Sequence, residues 1–314
     1  MSAPKIIIAG KQAKASTAEI NGMLVISTGK WLKMAQIYDE EIVPGETVTN
    51  PSEFIRQLLA TKIPADIFTF APKFPAQFPR FDYPHETDNW AVLPVSTYDH
   101  WLTKQIGTDV RQNVKKAPKR GVTARLVPFD DAFLDGIMEI YNETPIRQGR
   151  KFWHYGKSRE DVRFEIFRHM DRSHFIGAYF EEKLIGFVKM TCTDNVADLG
   201  LIVPRQSHYE QRAPNALIAK AVEICAQNGI GHLRYAKMSY GKKKDSSLAD
   251  FKRRNGFQEV EYPRYYVPLT IKGHIAVRLQ LHRQIQEIIP ERIQIIILKF
   301  RMAYYTRFVL TKKA

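Results

Sequence analysis

The sequence predicts an α/β protein with a mixed central sheet and flanking helices. The block from 174 to 270 has the order strand, strand, strand, helix, strand, helix and strand pair. The first three strands are apolar and separated by short polar turns, and the first helix has apolar residues at helical spacing and ends at Gly229. The predicted segments are 174–180, 184–193, 197–203, 214–228, 232–235, 247–255, 258–262 and 265–269.

The composition indicates a folded protein with an acidic partner. Hydrophobic residues make up 44% of the 314-residue chain, and the net charge is +14. That charge favours binding of nucleic acid, nucleotide phosphates or an anionic membrane. Cys192 and Cys225 fall in predicted core elements, which is typical of buried thiols in a reducing compartment. Apolar runs are too short for a secretory signal or a spanning helix. We therefore expect a cytoplasmic protein, with a peripheral position at the inner membrane face left open.

Residues 1–105 predict a smaller N-terminal α/β subdomain. Asn50 and Pro51 are suited to the cap and first position of a helix at 51–60. The connection 71–89 is rich in proline and aromatic residues, which fits either a packed loop or a binding loop. The order hairpin, helix, strand in this part is similar to part of the block 174–270. Whether residues 1–105 are a reduced, diverged repeat of that block is left open. The other predicted elements are strands at 5–9, 65–70 and 90–95 and a hairpin of 22–27 with 31–38.

Residues 107–120 continue the helical register of a predicted helix that begins at 98–105, and the segment 110–125 holds six basic residues and no acid. On charge alone it is either a solvated helix face or a polyanion-binding surface. The segment GTDVRQNVKKAPKRGVTARLV resembles the R-x-N-x-x-K-A-x-x-x-G-V helix of the FemABX aminoacyltransferases, and SLADFKRRNGF resembles the last helix of the GNAT acyltransferase superfamily. The matching positions are Arg111, Asn113, Lys116, Ala117, Gly121 and Val122. The other basic residues are Lys115, Lys119, Arg120 and Arg125.

The resemblance implies a GNAT-like catalytic domain at 106–270 and an N-terminal half that is a reduced GNAT-like copy. It implies an N-acyltransferase that moves an acyl or aminoacyl group from acyl-CoA or aminoacyl-tRNA to an amine. The acceptor would belong to a cell-envelope or exopolysaccharide precursor. By the match to the FemABX Phe-Lys pair, Phe251 positions substrate and Lys252 stabilises the transition-state charge. The alternative is that Lys252 is an ordinary surface lysine on a basic helix. We predict no metal and no permanently bound cofactor.

Residues 143–157 form the densest cluster of polar and aromatic side chains in the chain. Arginine can bind carboxylate or phosphate in two contacts, and aromatic rings can stack on a sugar or base. The segment is either an acceptor-binding loop or a packed connection between helices. Glu143 and His154 are candidate general bases. The candidate substrate-binding residues are Arg147, Gln148, Arg150, Trp153 and Tyr155.

The GNAT resemblance implies that the segment PRQSHYEQRAPNAL, after the third strand, is the donor-binding loop. It keeps a polar start, but it lacks the glycines that let a backbone approach a pyrophosphate closely. Coenzyme A is therefore in doubt as the donor, and aminoacyl-tRNA fits the basic helix better. The candidate donor-binding residues are Arg205, Gln206, Gln211, Arg212 and Asn215.

The segment 271–314 predicts a basic, amphipathic helical tail. Nine Lys and Arg against Glu287 and Glu291 give it a net charge of +7, and Pro290 divides two helices. It either lies on an anionic membrane surface or docks on the N-terminal part or a second subunit. For the whole chain, the rival to an enzyme is a non-catalytic protein that binds RNA or tRNA or serves as a scaffold at the membrane surface.

Overall fold

The computed structural model describes residues 6–8, 11–13, 15–147, 149–239 and 246–283. Contacts divide them into an N-terminal unit, formed by the described residues up to Trp90 and from Glu259 onward, and a central unit, Ala91–Gln258. The chain therefore leaves the N-terminal unit after Trp90 and returns to it at the last strand. This contact division falls at 90/91 and 258/259, and the domain boundaries predicted at 105/106 and 270/271 stay predictions.

Both units contain strands and helices. The strands are β1 (Ile6–Ile8), β2 (Lys11–Ala13), β3 (Ser16–Ile20), β4 (Met23–Thr28), β5 (Met34–Ile37), β6 (Ile67–Phe70), β7 (His85–Pro94), β8 (Val122–Val127), β9 (Ile146–Arg147), β10 (Arg150–Lys151), β11 (Ser173–Phe180), β12 (Lys183–Thr193), β13 (Val196–Pro204), β14 (His232–Arg234) and β15 (Gln258–Pro268). The helices are α1 (Pro51–Ala60), α2 (Tyr98–His100), α3 (Thr108–Lys119), α4 (Asp131–Asn142), α5 (Arg159–Phe167), α6 (Ala213–Gln227), α7 (Ser247–Arg254) and α8 (Ile271–Arg278).

In the N-terminal unit the strands lie in the order β3-β4-β5-β6-β15 and then the first part of β7, beside a separate β1-β2 pair. The predicted hairpin is β4 with β5. Helix α1 has the predicted bounds, since the Asn50 side chain accepts a hydrogen bond from the Glu53 N–H and Pro51 occupies the first turn. Strand β3 was not predicted, because its residues STAEI lack a strong apolar alternation.

In the central unit the second part of β7 is followed by β14-β13-β12-β11-β8. Side chains alternate between the two faces of a strand, and neighbouring Phe175 and Ile176 of β11 accordingly belong to different apolar cores. One core includes residues of α3 and α6, and the other includes residues of α4 and α5. The mixed sheet with helices on both faces confirms the predicted fold class.

Most elements of the central block lie where the sequence places them. The predicted strand pair at 258–269 is instead the single strand β15, which runs through Pro263. Strand β8, which pairs with β11, was not predicted. At the end of α7, Gly256 has a φ of +91°, and a Cβ there would lie 3.2 Å from the Gln105 carbonyl oxygen, so glycine is required by both strain and space.

The predicted tail is described only as far as 283, where α8 and a turn after it are seen. Pro290 and the second predicted helix lie outside the described residues. Within the part of the chain that the structure describes, no helix is long and apolar enough to cross a bilayer.

Candidate active site

Strands β13 and β14 are parallel, and their register covers the pairs from Val196 with His232 to Asp198 with Arg234. Beyond these pairs β13 continues to Pro204, whereas the chain after β14 stays bonded to β7, its neighbour on the other side: the Tyr235 N–H donates to the Ala91 carbonyl at 2.9 Å. The two strands therefore diverge after Asp198 and Arg234. We call this point the strand fork.

A buried ion pair closes the paired end of the strand fork. Arg234 Nη2 donates to Asp198 Oδ2 at 2.9 Å, and Arg234 Nε donates to Asp198 Oδ1. The Arg234 side chain is 2% exposed. A two-contact pair of this kind fixes the spacing of two strands, because a charge moved out of register would stay buried without compensation.

Lys252 of α7 places its ammonium group at the strand fork. The side chain is fully buried, and Nζ donates to the carbonyl oxygens of Tyr235 at 2.7 Å and Lys237 at 2.6 Å, both just after β14. Nζ also lies 4.3 Å from the centroid of the Tyr235 ring. Burial lowers the pKa of Lys252 to about 8. The residue is thus a cation at neutral pH and is not the surface lysine of the alternative interpretation.

The neighbour Phe251 packs partly buried against the core that contains α6. Its carbonyl accepts a hydrogen bond from Asn255 Nδ2 at 2.7 Å. Asn255 Oδ1 accepts from Asn215 Nδ2 at 3.2 Å, and its carbonyl accepts from Trp101 Nε1 at 3.0 Å. Asn215, predicted to bind the donor, therefore ties the first turn of α6 to α7 and positions the helix that holds Lys252.

The loop after β13 is held by Glu143, at the end of α4. The Glu143 carboxylate accepts hydrogen bonds from the N–H groups of Gln206 at 2.6 Å and Ser207 at 2.8 Å. Burial alone would raise the pKa of Glu143, but hydrogen bonds from Ser207 and Gln206 and the charge of Arg147 hold it below its usual range. Glu143 is thus an anion that fixes the loop.

Arg147 holds the same loop from the other side. Its guanidinium donates to the carbonyl oxygens of Pro204 at 2.8 Å and Ile140 at 2.7 Å, and it lies 4.1 Å from the centroid of the Phe152 ring. Nearby Arg205 is buried, and its Nη2 bonds to Glu139 Oε2 at 2.7 Å. The structure therefore joins predicted acceptor residues and a predicted donor residue at the end of β13.

Solved structures share this fold at low sequence identity. L-PGS from Bacillus licheniformis is 14% identical with a TM-score of 0.56, covering 84% of this chain and 88% of that one. The C-terminal domain of a putative lysylphosphatidylglycerol synthetase from Agrobacterium fabrum is 11% identical with a TM-score of 0.55, covering 84% and 87%. FemX is 11% identical with a TM-score of 0.52, covering 80% and 87%.

The chain therefore has the fold that FemX and these two synthetase structures share. The predicted resemblance to FemABX-type GNAT proteins is thereby confirmed at the level of the fold. No family model matches the sequence, and the search of curated proteins finds no match.

His154 lies apart from the strand fork of this GNAT-like unit. Its buried ring contacts the rings of Tyr141 and Trp153 at a tilt, with ring centroids 4.0 Å and 3.8 Å away. Nδ1 is 3.9 Å from Oε2 of Glu165, which also bonds Lys157. Burial, and then the nearby positive charges, lower the pKa of His154 to about 3. A base this weak is poorly suited to deprotonating an amine, although its catalytic role stays a prediction.

The remaining predicted acceptor residues lie at the surface of the central unit. Arg150 pairs with Arg147 in the short β9-β10 ladder and is exposed. Trp153 is partly exposed, with Lys157 Nζ 4.8 Å from its ring centroid, and Tyr155 is half-buried. Gln148 lies outside the described residues. Substrate binding by this group stays a prediction.

Three of the predicted donor residues, in the loop between β13 and α6, are at least partly accessible. Gln206 is exposed and Gln211 half-buried. Arg212 has a φ of 55°, and its guanidinium lies 4.7 Å from the Tyr209 ring centroid. The Arg120 guanidinium donates to the Glu210 carbonyl at 2.8 Å, which fixes the end of basic helix α3 against this loop.

Helix α3 presents a basic surface next to the donor loop. Val110, Val114 and Ala117 are buried, whereas the basic residues of its last turns are exposed. Cations are favoured at a helix C-terminus because they face the negative end of the helix dipole. Arg111 instead donates to the carbonyls of Leu102, Thr103 and Ile106 and supports the preceding turn. The exposed residues are Lys115, Lys116, Lys119 and Arg120.

Sequence reasoning missed the Asp198–Arg234 pair and Asn255. A signal existed for Asp198, which is the single charged residue in the apolar strand ADLGLIV. A charge in such a strand must find a buried partner. The sequence did not say which one, since Arg234 lies on a strand separated from β13 by helix α6.

Replacing Glu143 with glutamine is expected to lower the free energy of unfolding at neutral pH by about 1 kcal/mol. In wild type, each carboxylate oxygen of Glu143 accepts one hydrogen bond, from the N–H of Gln206 or of Ser207. Glutamine keeps one oxygen that can accept, and its NH₂ group cannot accept, so one of the two hydrogen bonds is lost. The wild-type pKa is lowered from 4.5, so this contribution is present above pH about 4.5 and is lost as the pH falls through the lowered value. Urea unfolding at neutral and acidic pH measures both effects.

The exposed Glu160 of α5 provides the matched control, since Glu160→Gln removes the same charge from the same unit. Equal losses of stability in the two variants at neutral pH would contradict the loop-fixing role of Glu143. A difference between wild type and Glu143→Gln that persisted unchanged at acidic pH would contradict its electrostatic origin.

Proposed function

We propose that the protein is an N-acyltransferase of the FemX-like GNAT type, which attaches an acyl or aminoacyl group to an amine. The observation that carries the proposal is the buried ammonium of Lys252 beside the strand fork. In acyl transfer, negative charge develops on the carbonyl oxygen of the acyl group, and a fixed cation in a dry site stabilises that charge without reorganising. The related solved structures include a putative synthetase named for a lysylated lipid, which supports acceptors from the cell envelope.

In the proposed reaction, the neutral acceptor amine attacks the carbonyl carbon of the donor ester or thioester. The new C–N bond forms as the bond to the carrier oxygen or sulfur breaks, and the amine proton leaves with the carrier or through solvent. Lys252 would face the developing oxyanion, and Phe251 would bound the space beside it. The Asp198–Arg234 pair would keep the fork at the spacing that this geometry needs.

We infer that aminoacyl-tRNA is the better donor candidate, and that acyl-CoA is the alternative. The N–H groups of Gln206 and Ser207 are taken by the Glu143 carboxylate, an anion that would also repel a pyrophosphate. The exposed basic turn of α3 lies against the same loop through Arg120. A row of cations beside the donor loop supports binding of an RNA backbone.

The proposal is tested by incubating the full chain with aminoacyl-tRNA or acyl-CoA and amine acceptors. Acceptors are a peptidoglycan peptide precursor and an amino sugar, and mass spectrometry detects the amide product. We expect a product with aminoacyl-tRNA, and a product with acyl-CoA alone would overturn the donor assignment. If the protein binds RNA but forms no product with any donor, it is a non-catalytic RNA-binding protein, the rival hypothesis that the basic surface of α3 supports.

Charge reversal on α3 is expected to weaken tRNA binding. Lys116→Glu and Lys119→Glu should each lower the affinity about tenfold and reduce the slope of log affinity against log salt by about 0.7–0.9 for each phosphate that is no longer neutralised. Lys62→Glu makes the same charge change at an exposed position of the N-terminal unit and serves as the control. Equal effects in all three variants would indicate only the change in net charge and would contradict a binding site on α3.

A further inference from the structure

Helix α8 is anchored tightly in the N-terminal unit through its small residues. A Cβ on Gly273 would lie 2.0 Å from the Asp66 carbonyl oxygen, and Ala276 is fully buried. Thr270 caps the helix by accepting from the Gly273 N–H, and its hydroxyl donates to Asp66 Oδ1 at 2.9 Å. Close packing at Gly273 and Ala276 therefore sets how α8 is rotated about its axis, and this rotation determines which side chains face solvent.

The outer face of α8 presents large aliphatic side chains to solvent. Ile271 is 82% exposed, Ile275 52% and Leu279 62%, at the four-residue spacing of one helix face. Trp31, 60% exposed, lies beside the first turn, where Lys272 Nζ donates to the Trp31 carbonyl at 2.9 Å. We call these four apolar residues the α8 patch. A folded protein rarely exposes a contiguous patch of this kind without a partner for it.

Basic residues surround the α8 patch. Neither the described helical segment 271–283 nor the loop 29–33 contains an acidic residue. Lys30 and Arg278 are exposed next to the patch. Lys272 bonds Asp66 Oδ2 at 2.8 Å, and Arg283 Nε bonds Glu86 Oε1 at 2.8 Å, so both acids that contact this segment are already paired. An apolar patch with tryptophan and a cationic rim matches the chemistry of an anionic lipid surface, where aliphatic groups enter the acyl region and cations meet headgroups.

We propose that the α8 patch binds the surface of an anionic lipid bilayer. A second copy of the chain fits less well, because a symmetric contact would bring the cationic rims of two chains of net charge +14 together. The proposal does not depend on the transfer reaction. It would place the N-terminal unit against the membrane whether or not the central unit transfers an acyl group.

The test is sedimentation of the full chain with vesicles of phosphatidylcholine, with and without phosphatidylserine. We expect the protein to bind the anionic vesicles, and added salt should weaken this binding. Removing one cation of the rim, as in Arg278→Gln, should lower the affinity for the vesicles about fivefold. The double variant Ile275→Asp/Leu279→Asp should bind at least about tenfold more weakly. The single variant Ile271→Ser, at the most exposed position, should weaken binding in the same direction with little effect on folding.

The control is Leu126→Asp, which introduces a charge at an exposed leucine of the central unit. Its vesicle binding should equal that of the wild type, and circular dichroism confirms that each variant is folded. Wild-type binding that persists in both α8 variants would overturn the proposal, as would no binding to anionic vesicles. Analytical ultracentrifugation without vesicles tests the other occupant. If the wild type is a dimer and Ile271→Ser is a monomer, the patch binds a second copy of the chain, and the proposal of bilayer binding is overturned.

Discussion

Replacing Lys252 with methionine is expected to lower kcat by about 10²–10³-fold while KM changes little, as for loss of one oxyanion-stabilising donor. Methionine has a similar length and can fill the buried space, but it cannot donate to the Tyr235 and Lys237 carbonyls or offer a positive charge. The defect should therefore be in the chemical step rather than in donor or acceptor binding. Single-turnover transfer from the preferred donor separates the two.

The pH dependence provides an independent reading of the same role. Because burial lowers the pKa of Lys252 to about 8, transfer by the wild type should decline as the pH rises through about 8, when the ammonium becomes a neutral amine. The residual activity of Lys252→Met should lack that decline. The sign separates a Lys252 cation from a Lys252 base, since a base would gain activity across the same pH range.

Arg253→Met is the matched control for Lys252, because it removes a cation from the adjacent position of α7. The Arg253 side chain is largely exposed and pairs with Asp250 in the same helix. The transfer rate of Arg253→Met should stay within about twofold of the wild-type rate, because an exposed salt bridge contributes little free energy. A folded Lys252→Met variant with the wild-type rate would show that Lys252 only supports the chain after β14.

Replacing Asp198 with alanine is expected to lower the free energy of unfolding by about 3–5 kcal/mol. The change leaves the Arg234 guanidinium buried without its carboxylate at the strand fork. This is the largest stability effect that we expect in the central unit, because the variant lacks both hydrogen bonds of the pair and the charge compensation. Urea unfolding followed by circular dichroism measures the effect.

The double variant Asp198→Ala/Arg234→Met tests the cause of that destabilisation. Removing both charges avoids the uncompensated cation, so the double variant should be more stable than Asp198→Ala alone. If the effects of the two substitutions simply add, the ion pair does not account for the destabilisation. A decrease below about 1 kcal/mol in Asp198→Ala would mean that the fork is held by backbone pairing alone.

Many elements of both units could be predicted from the sequence. Apolar periodicity, the glycine after α6 and the Asn50-Pro51 start of α1 are local signals, and the observed bounds of these helices follow them closely. The fold class and the FemX-like resemblance also followed from the sequence, since they depend on the order of elements and on a short motif. The charge of α3 was visible in the same way.

What the candidate site residues touch was decided by tertiary packing. Glu143 stays a candidate base, and folding brings the loop after β13 against it so that its carboxylate bonds Gln206 and Ser207. His154 stays another, and burial, followed by the charges of Lys157 and Arg147, lowers its pKa to about 3. Burial and long-range hydrogen bonds set both outcomes, and neither is encoded in the neighbouring residues.

Lys252 shows the same division most clearly. The sequence placed it on a short basic helix with Arg253 and Arg254, where a solvated lysine and a catalytic one have the same local pattern. The structure buries Lys252 at the strand fork and leaves its neighbour Arg253 largely exposed. The difference arises because α7 packs one face on the core, and which face is buried depends on where β14 and Asn255 lie in space.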